Sequence, residues 1–183
     1  MTAPGDFDLT MDELREVARY AVRHAEDVLP VYERAVPDDP RPRAAVDAAW
    51  TFARGAARTR LQRVTSLDAH RAARSAPTEA ARLAAPPVTP RRPRLHPIAK
   101  ATQVGHILRA AANAARVAEL EAGGDETVGT AVLDGYRRLA TPVLVDVLRR
   151  YPPLTGGGSR VARLMSTLDH DLRQGTAGPE AAS

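Results

Sequence analysis

The sequence contains no cysteine, so disulfide bonds and thiolate metal sites are excluded. Aromatic residues make up only 4% of the chain, which leaves alanine and branched aliphatic residues to form the core. Because buried area sets the hydrophobic contribution, such a core must gain its stability from many close helix contacts. No apolar run reaches the roughly 20 residues of a membrane span, and no alternating strand pattern is present.

Positive charge comes almost entirely from arginine, because Lys100 is the only lysine. The net charge of +4 over 183 residues is a modest excess and gives little support by itself to nucleic-acid binding. The N-terminus is acidic and lacks the charged and apolar regions of a signal peptide. We therefore expect a cytoplasmic protein without a membrane partner.

Helical periodicity recurs along the chain and predicts its fold class. Thr10 and Glu13 have the spacing of a capping box, and an apolar seam with three- and four-residue steps begins at Met11. Pro30 is expected to kink or end this first helix. We predict an all-α fold, a single-domain multi-helix bundle of about six to seven helices over 11–173, with a flexible lead-in at 1–10 and a disordered tail at 174–183.

The expected helix boundaries are set by capping residues and by helix-breaking glycine and proline. Asp39 is predicted to cap the second helix with Pro40 at its first position, and Gly55 is predicted to end it. A third helix is predicted over 56–74, with four apolar side chains facing inward: Ala57, Leu61, Val64 and Leu67. The sequence also allows a short helix at 77–85 and a division of the later helix into two at Thr141–Pro142.

The Pro/Arg-rich stretch at 86–94 cannot be helical and predicts an exposed, extended connection. A long helix follows from near Pro97 to about Ala122 and is predicted to be central. Its small apolar residues allow close approach of a neighbour, whereas its polar residues fall on the other side, namely His106, Arg109, Asn113 and Arg116.

Two sets of charged residues are candidate binding surfaces. Four arginines of the third helix share an arc of about 80°, which is typical of a solvated face or of a stripe for phosphates or an acidic partner: Arg60, Arg63, Arg71 and Arg74. Acidic residues collect near the first helix and its following turn, where they favour a basic partner or simply complement the helix dipole: Asp12, Glu13, Glu16, Asp38 and Asp39.

The sequence has no strong catalytic or metal-binding motif. His96 and His106 lie ten residues apart with no carboxylate between them, which is not a metal-binding spacing, and no nucleophile motif appears. Lys100 falls at the edge of an apolar face, but its stem can reach water. The sequence therefore predicts no catalytic residue, no metal site and no cofactor.

Two stretches carry a resemblance to a known family. One runs from Met11 through the turn Pro37-Asp-Asp-Pro-Arg-Pro-Arg-Ala-Ala45, and the other is Leu95-His-Pro-Ile-Ala-Lys-Ala-Thr-Gln-Val-Gly-His-Ile-Leu108 with Ala114-Ala-Arg-Val-Ala-Glu-Leu120. Together they resemble the bacterial "putative immunity protein" family of the family-five-like kind, common in actinobacteria, over about residues 11–173. Relatives look helical just before the His-Pro element, where this chain has its proline-arginine run.

The resemblance implies a small α-helical cytoplasmic protein that neutralises a toxin made by the same cell or its kin. We expect a non-enzymatic protein that occludes a cognate toxin, with the acidic residues above as its contact surface for a basic nuclease. The alternative is an Arg-rich helical module associated with nucleic acid through the arginine stripe and the basic arm at 91–94. The sequence identifies neither the toxin nor the oligomeric state.

Overall fold

The structure is a computed structural model that describes residues 9–57, 59–85 and 97–174, with side chains from residue 104 in the last range. The predicted lead-in up to residue 8, the connection at 86–94, His96, the side chain of Lys100 and the tail from residue 175 lie outside the described residues. The described chain is all-α, as predicted, and contains no strand. Its eight helices are α1 Met11–Ala35, α2 Arg41–Ala53, α3 Arg60–Ser75, α4 Glu79–Ala84, α5 Pro97–Glu121, α6 Glu126–Arg138, α7 Pro142–Arg149 and α8 Arg160–Gln174.

The predicted count of six to seven helices is too low because two threonine caps each create an additional helix. The hydroxyl of Thr78 accepts from the backbone N–H of Ala81 at 3.1 Å and starts α4. The hydroxyl of Thr141 accepts from the backbone N–H of Leu144 at 3.3 Å, so α7 begins with Pro142 at its first position.

The first helix has the predicted capping box, but it does not end at Pro30. Thr10 and Glu13 exchange hydrogen bonds of 2.8 and 3.2 Å between side chain and backbone. The helix then passes through Pro30 and ends at Ala35. Pro30 is exposed while Leu29 and Tyr32 are buried beside it, so packing on both sides compensates for the missing backbone hydrogen bond.

The second helix begins one residue later than predicted, at Arg41, with Pro40 as its N-cap. The Asp39 carboxylate still accepts from the backbone N–H of Arg41 at 3.1 Å. Gly55, with φ of 112°, ends the helix as predicted.

The two long helices, α1 and α5, pack against each other at the centre. Helix α1 also contacts α2, α4 and α7, whereas α5 also contacts α4, α6 and α8. One core cluster contains several alanines, among them Ala72 of α3, Ala81 of α4 and Ala114 of α5. Their small side chains let the helices approach closely, as expected. A second cluster joins α1, α5, α7 and α8 through larger side chains, among them Tyr20, Leu108, Leu144 and Leu168.

The prediction that α5 has a polar outer side holds only in part. His106 and Arg109 are exposed, but Asn113 is 6% exposed and donates to the backbone oxygen of Leu83 at 3.4 Å. Because neighbours pack around α5 from several directions, its polar residues near the middle are buried as well. The buried polar side chains of α5 therefore need hydrogen-bond partners inside the protein.

Candidate partner-binding surfaces

The predicted acidic residues of α1 line a surface groove. The groove has a volume of about 460 Å³ and is lined by Asp12, Glu13, Arg15, Glu16, Arg19 and Val143. The capping box places Asp12 and Glu13 in the first turn of α1, where carboxylates stabilise the positive end of the helix dipole.

Most of this acidic charge is already paired within the protein. Glu16 binds Arg19 at 2.5 Å and accepts from the hydroxyl of Thr141 at 2.8 Å, while Glu13 binds Arg150 at 2.5 Å. Burial alone would raise the pKa of Glu13, but its hydrogen bonds with Arg150 and Thr10 hold that pKa below the usual range. Asp12 pairs with Arg15 at 3.1 Å yet its side chain stays 93% exposed.

Asp38 and Asp39 lie beyond the other end of α1, whose 25 residues span roughly 37 Å at 1.5 Å per residue. Asp39 accepts two hydrogen bonds from the Arg41 guanidinium, at 2.8 and 2.6 Å, and one from the Tyr32 hydroxyl at 2.6 Å. The pKa of Asp39 is lowered chiefly by its hydrogen bonds with Arg41, whereas burial and Asp39 together raise the pKa of Tyr32 to about 12. The five predicted acidic residues therefore form two separate groups.

The four predicted arginines do share the outer face of α3, and all are exposed. Arg71 forms an ion pair with Asp68 at 2.8 Å. Arg60, Arg63 and Arg74 form no ion pair with any residue that the structure describes.

The predicted inward face of α3 is wrong. Leu61, Val64 and Leu67 are 56%, 39% and 49% exposed, and Ala57 is also exposed. The buried residues of this helix are Gln62, Ala69, Ala72 and Ala73. At about 100° per residue, Leu67 falls within the arc of the arginines and Val64 lies only about 20° beyond it, so an inward aliphatic face and an outward arginine stripe are incompatible.

Two buried polar sites were missed because neither has a motif. Glu119 of α5 is 0% exposed and binds Arg160 at 2.5 Å and Arg116 at 3.1 Å. Burial raises the pKa of Glu119, but hydrogen bonds with the two arginines outweigh it and lower the pKa overall. The only signal in the sequence was a carboxylate on a mostly apolar helix.

The second missed site is His24 of α1, which is 0% exposed and has no hydrogen-bond partner on either ring nitrogen among the described residues. The centroid of its ring lies 4.4 Å from the ring centroid of Tyr20 and 3.8 Å from that of Tyr136. Burial lowers the pKa of His24. The carboxylate of Asp27 opposes this shift, with its Oδ2 atom 3.9 Å from the Nδ1 atom of His24.

Within the described part of the chain, no group of three or more histidine, aspartate or glutamate residues could hold a metal ion. No described helix is both long and apolar enough to cross a membrane. His106 lies on the exposed side of α5, whereas His96 and the Lys100 side chain lie outside the described residues.

The fold and these surfaces define an all-α protein with charged outer helix faces and ion pairs inside. The chain belongs to the family described as Imm-5 like putative immunity protein, whose model matches residues 8–141. This confirms the resemblance predicted from the turn after α1 and from the His-Pro helix. The match covers α1 to α6 and ends at residue 141, short of the predicted extent to about residue 173, so α7 and α8 follow it. No curated protein and no solved structure matches the chain.

Proposed function

We propose that this protein acts in the cytoplasm, where it binds a cognate bacterial toxin and neutralises it by covering the toxin's working surface, without catalysing a reaction. The observation that carries the proposal is the family match over residues 8–141, because immunity proteins act on a toxin partner. Inhibition by occlusion requires complementary shape and charge and no reactive group.

The first test is protection of growing cells. Toxin domains encoded in the same genome are expressed one at a time, with and without this protein, beginning with the one encoded beside it. We expect wild-type protein to restore growth against at least one toxin. If it restores growth against none, the proposal is overturned.

A second test separates occlusion from catalysis. Purified protein is titrated against the toxin that it neutralises, and the toxin's own activity is measured. Occlusion predicts inhibition that is complete near one equivalent, and intact-mass spectrometry should find the toxin chemically unchanged. Inhibition by a small fraction of an equivalent, or a changed toxin mass, would contradict a non-enzymatic mechanism.

The acidic residues predicted from the sequence remain one proposal for the contact surface. Asp12 is 93% exposed, and Asp38 is exposed and has no ion pair with another described residue. A basic nuclease toxin would favour these carboxylates. The variant Asp12→Asn/Asp38→Asn removes both charges while Glu13, Glu16 and Asp39 keep their internal pairs, so it tests contact without disturbing the fold.

The alternative function is association with nucleic acid through the arginines of α3. The absence of described ion pairs at Arg60, Arg63 and Arg74 favours this alternative. Binding to phosphates predicts a steep loss of affinity as salt rises. Mobility-shift measurements with duplex DNA, single-stranded DNA and RNA at low salt test it, and no shift with any of them removes it.

A further inference from the structure

The outer face of α3 combines two features that rarely occur together on a solvated helix. It carries four exposed arginines, namely Arg60, Arg63, Arg71 and Arg74, and three exposed aliphatic side chains, namely Leu61, Val64 and Leu67. We call these seven residues the α3 face. All except Leu61 fall within an arc of about 100°, and Leu61 lies about 60° beyond that arc.

Part of the α3 face does not help the isolated protein to fold, although Arg74 complements the last turn of the helix and Arg71 pairs with Asp68. Arg60 is the first residue of α3, and no acidic residue stands in that first turn, so its positive charge meets the positive end of the helix dipole. Leu61, the most exposed of the three aliphatic residues at 56%, leaves more than half of its side chain in water. A surface that is unfavourable in two ways for the free protein is typical of one that another molecule covers.

The other side of α3 holds this face in a fixed position. The capping box between Thr59 and Gln62 fixes the start of the helix, and the side chain of Gln62 donates to the backbone oxygen of Ala48 in α2 at 3.4 Å. Ala69 and Ala72 are 0% exposed, and the helix packs against α2 and α4. The α3 face is therefore preorganised for binding, which lowers the entropic cost of association.

Charge distinguishes this face from the groove at the start of α1. In the groove, carboxylates and arginines neutralise each other. On α3 the four arginines face a single carboxylate, Asp68, which pairs with Arg71. Three positive charges thus remain without a described counter-charge, and a complementary surface must be acidic.

The aliphatic residues favour a protein over a nucleic acid as the occupant. Leu61, Val64 and Leu67 would gain nothing beside phosphates, and this helix has no Phe, Tyr or Trp on which bases could stack. Apolar side chains next to arginine are instead the usual composition of the centre of a protein–protein interface.

We propose that the α3 face is the surface that contacts the toxin, and that it binds an acidic patch with an apolar centre on that protein. This inference rests on the proposed function, because it names the site and partner chemistry of toxin neutralisation. In this arrangement the toxin supplies the carboxylates and the immunity protein supplies the arginines. The charges are therefore the reverse of those expected if acidic residues of this protein bound a basic nuclease.

The test uses the toxin against which wild-type protein restores growth, purified in an inactivated form as the binding probe. Leu61→Ala/Leu67→Ala removes apolar contact, and Arg60→Glu/Arg63→Glu reverses charge on the same face. We expect each variant to raise the Kd at least about tenfold and to weaken protection, as truncation of interface anchors commonly does. The charge variant should also lose most of the salt dependence of association.

Matched controls lie on other exposed helix surfaces. Met11→Ala/Leu139→Ala removes two apolar side chains that are 41% and 42% exposed, and Arg109→Glu/Arg138→Glu reverses two exposed arginines. These controls should bind and protect like wild type. Circular dichroism and thermal unfolding should show that all four variants fold, since every mutated side chain is exposed.

Each outcome bears on the inference. Loss of binding in both α3 variants with intact controls supports it. Normal binding by both α3 variants, together with loss in Asp12→Asn/Asp38→Asn or in a control, places the interface elsewhere and overturns the inference while toxin neutralisation stands. If the arginine variant loses binding to DNA or RNA while Leu61→Ala/Leu67→Ala still binds the toxin normally, the face serves nucleic acid and the inference is also overturned. Failure of wild-type protein to protect against every toxin refutes the proposed function, and the inference with it.

Discussion

At the residue scale, Glu119 is the ionisable group on which the packing of α5, α6 and α8 most depends. Its carboxylate is fully buried, and the two guanidiniums that bind it come from α5 and α8. Arg160 extends the network to Glu126 of α6 at 3.3 Å, and Arg116 extends it to Glu79 of α4 at 3.4 Å. A buried charge of this kind is tolerated only while its partners remain in place.

We therefore predict that Glu119→Gln destabilises the protein by about 2 kcal/mol and Glu119→Ala by about 3 kcal/mol, because each removes the buried counter-charge of two arginines and leaves them only their longer pairs with Glu79 and Glu126. Urea unfolding followed by circular dichroism measures both. The matched control is Glu121→Gln, two residues along α5, whose exposed pair with Arg34 at 2.6 Å should contribute less than about 1 kcal/mol. Equal effects at the two positions would contradict a structural role for Glu119.

His24 links stability to pH because its ring is buried without a hydrogen-bond partner among the described residues. The groups facing it are Tyr20, Tyr136, Asp27 and Arg23. Burial holds the pKa of His24 in the folded protein below its ordinary value of about 6.5. The unfolded chain therefore takes up a proton first as pH falls through that value, and the folded state loses relative stability on acidification.

The expected result is that wild-type protein loses up to about 2 kcal/mol more stability between pH 7 and pH 5 than His24→Gln does. Urea unfolding of both proteins at the two pH values gives this difference directly, since the other titratable groups are common to both. His70→Gln on the exposed side of α3 is the control and should lose as much stability as wild type. A variant His24→Gln with the pH dependence of wild type would show that the pKa of His24 is the same in the folded and unfolded states, which would contradict the prediction.

At the scale of single helices, two glycines of α6 have opposite surroundings. A Cβ atom on Gly129 would lie 2.6 Å from the Cδ atom of Glu119, whereas one on Gly135 would meet nothing within 4 Å. Gly129 is therefore the position that lets α6 approach the buried carboxylate of α5.

Alanine at these two positions should have effects of opposite sign. Gly135→Ala should stabilise by about 0.5–1 kcal/mol through helix propensity alone. Gly129→Ala gains the same propensity but forces Glu119 or the α6 backbone to move, at a cost of about 1–3 kcal/mol, so its net effect is destabilising. Thermal unfolding of the two variants measures the signs, and stabilisation by both would mean that α5 and α6 are not held as closely as the structure has them.

Helix α3 explains where prediction from sequence fails at this scale. The sequence predicts its end to within one residue, but the helix begins at Arg60 and not at residue 56, because Thr59 caps it. Its orientation is predicted wrongly, because the larger aliphatic residues are expected inside, whereas the buried apolar residues of the helix are all alanines. In the fold, α2 and α4 come so close that Ala69 and Ala72 fit between the helices, and the larger Leu61 and Leu67 are left outside.

At the scale of the whole molecule, the all-α class could be predicted because helical periodicity, caps and the lack of strand patterns all indicated it. The central position of α5 was also predicted, but burial of Asn113 and Glu119 was not, since a one-sided pattern cannot represent a helix covered from several sides. The candidate surfaces could be predicted only as sets of charges. Whether those charges are neutralised depends on contacts between residues far apart in sequence, such as Glu13 with Arg150.

The whole-molecule arrangement also shows that the family match ends before the core does. Residues 8–141 match, yet α8 inserts four buried side chains against the rest of the protein, namely Leu164, Met165, Leu168 and Leu172. It contacts α5 along its length and supplies Arg160 to Glu119. At about 1.5–3 kcal/mol for each large apolar side chain, this burial is comparable to the 5–15 kcal/mol stability of an ordinary protein.

A fragment comprising residues 1–141 is therefore expected not to fold stably, because it exposes the apolar face of α5 and leaves Glu119 with Arg116 alone. Circular dichroism should find a lower helix content per residue than in the full chain, and urea unfolding should lack a cooperative transition. A fragment ending at Gln174 is the control and should unfold like the full chain. Within the full chain, Leu168→Ala should cost about 2–5 kcal/mol by the same reasoning. If the 1–141 fragment unfolds cooperatively with full helix content, α7 and α8 are an accessory layer on a core that the family match already contains.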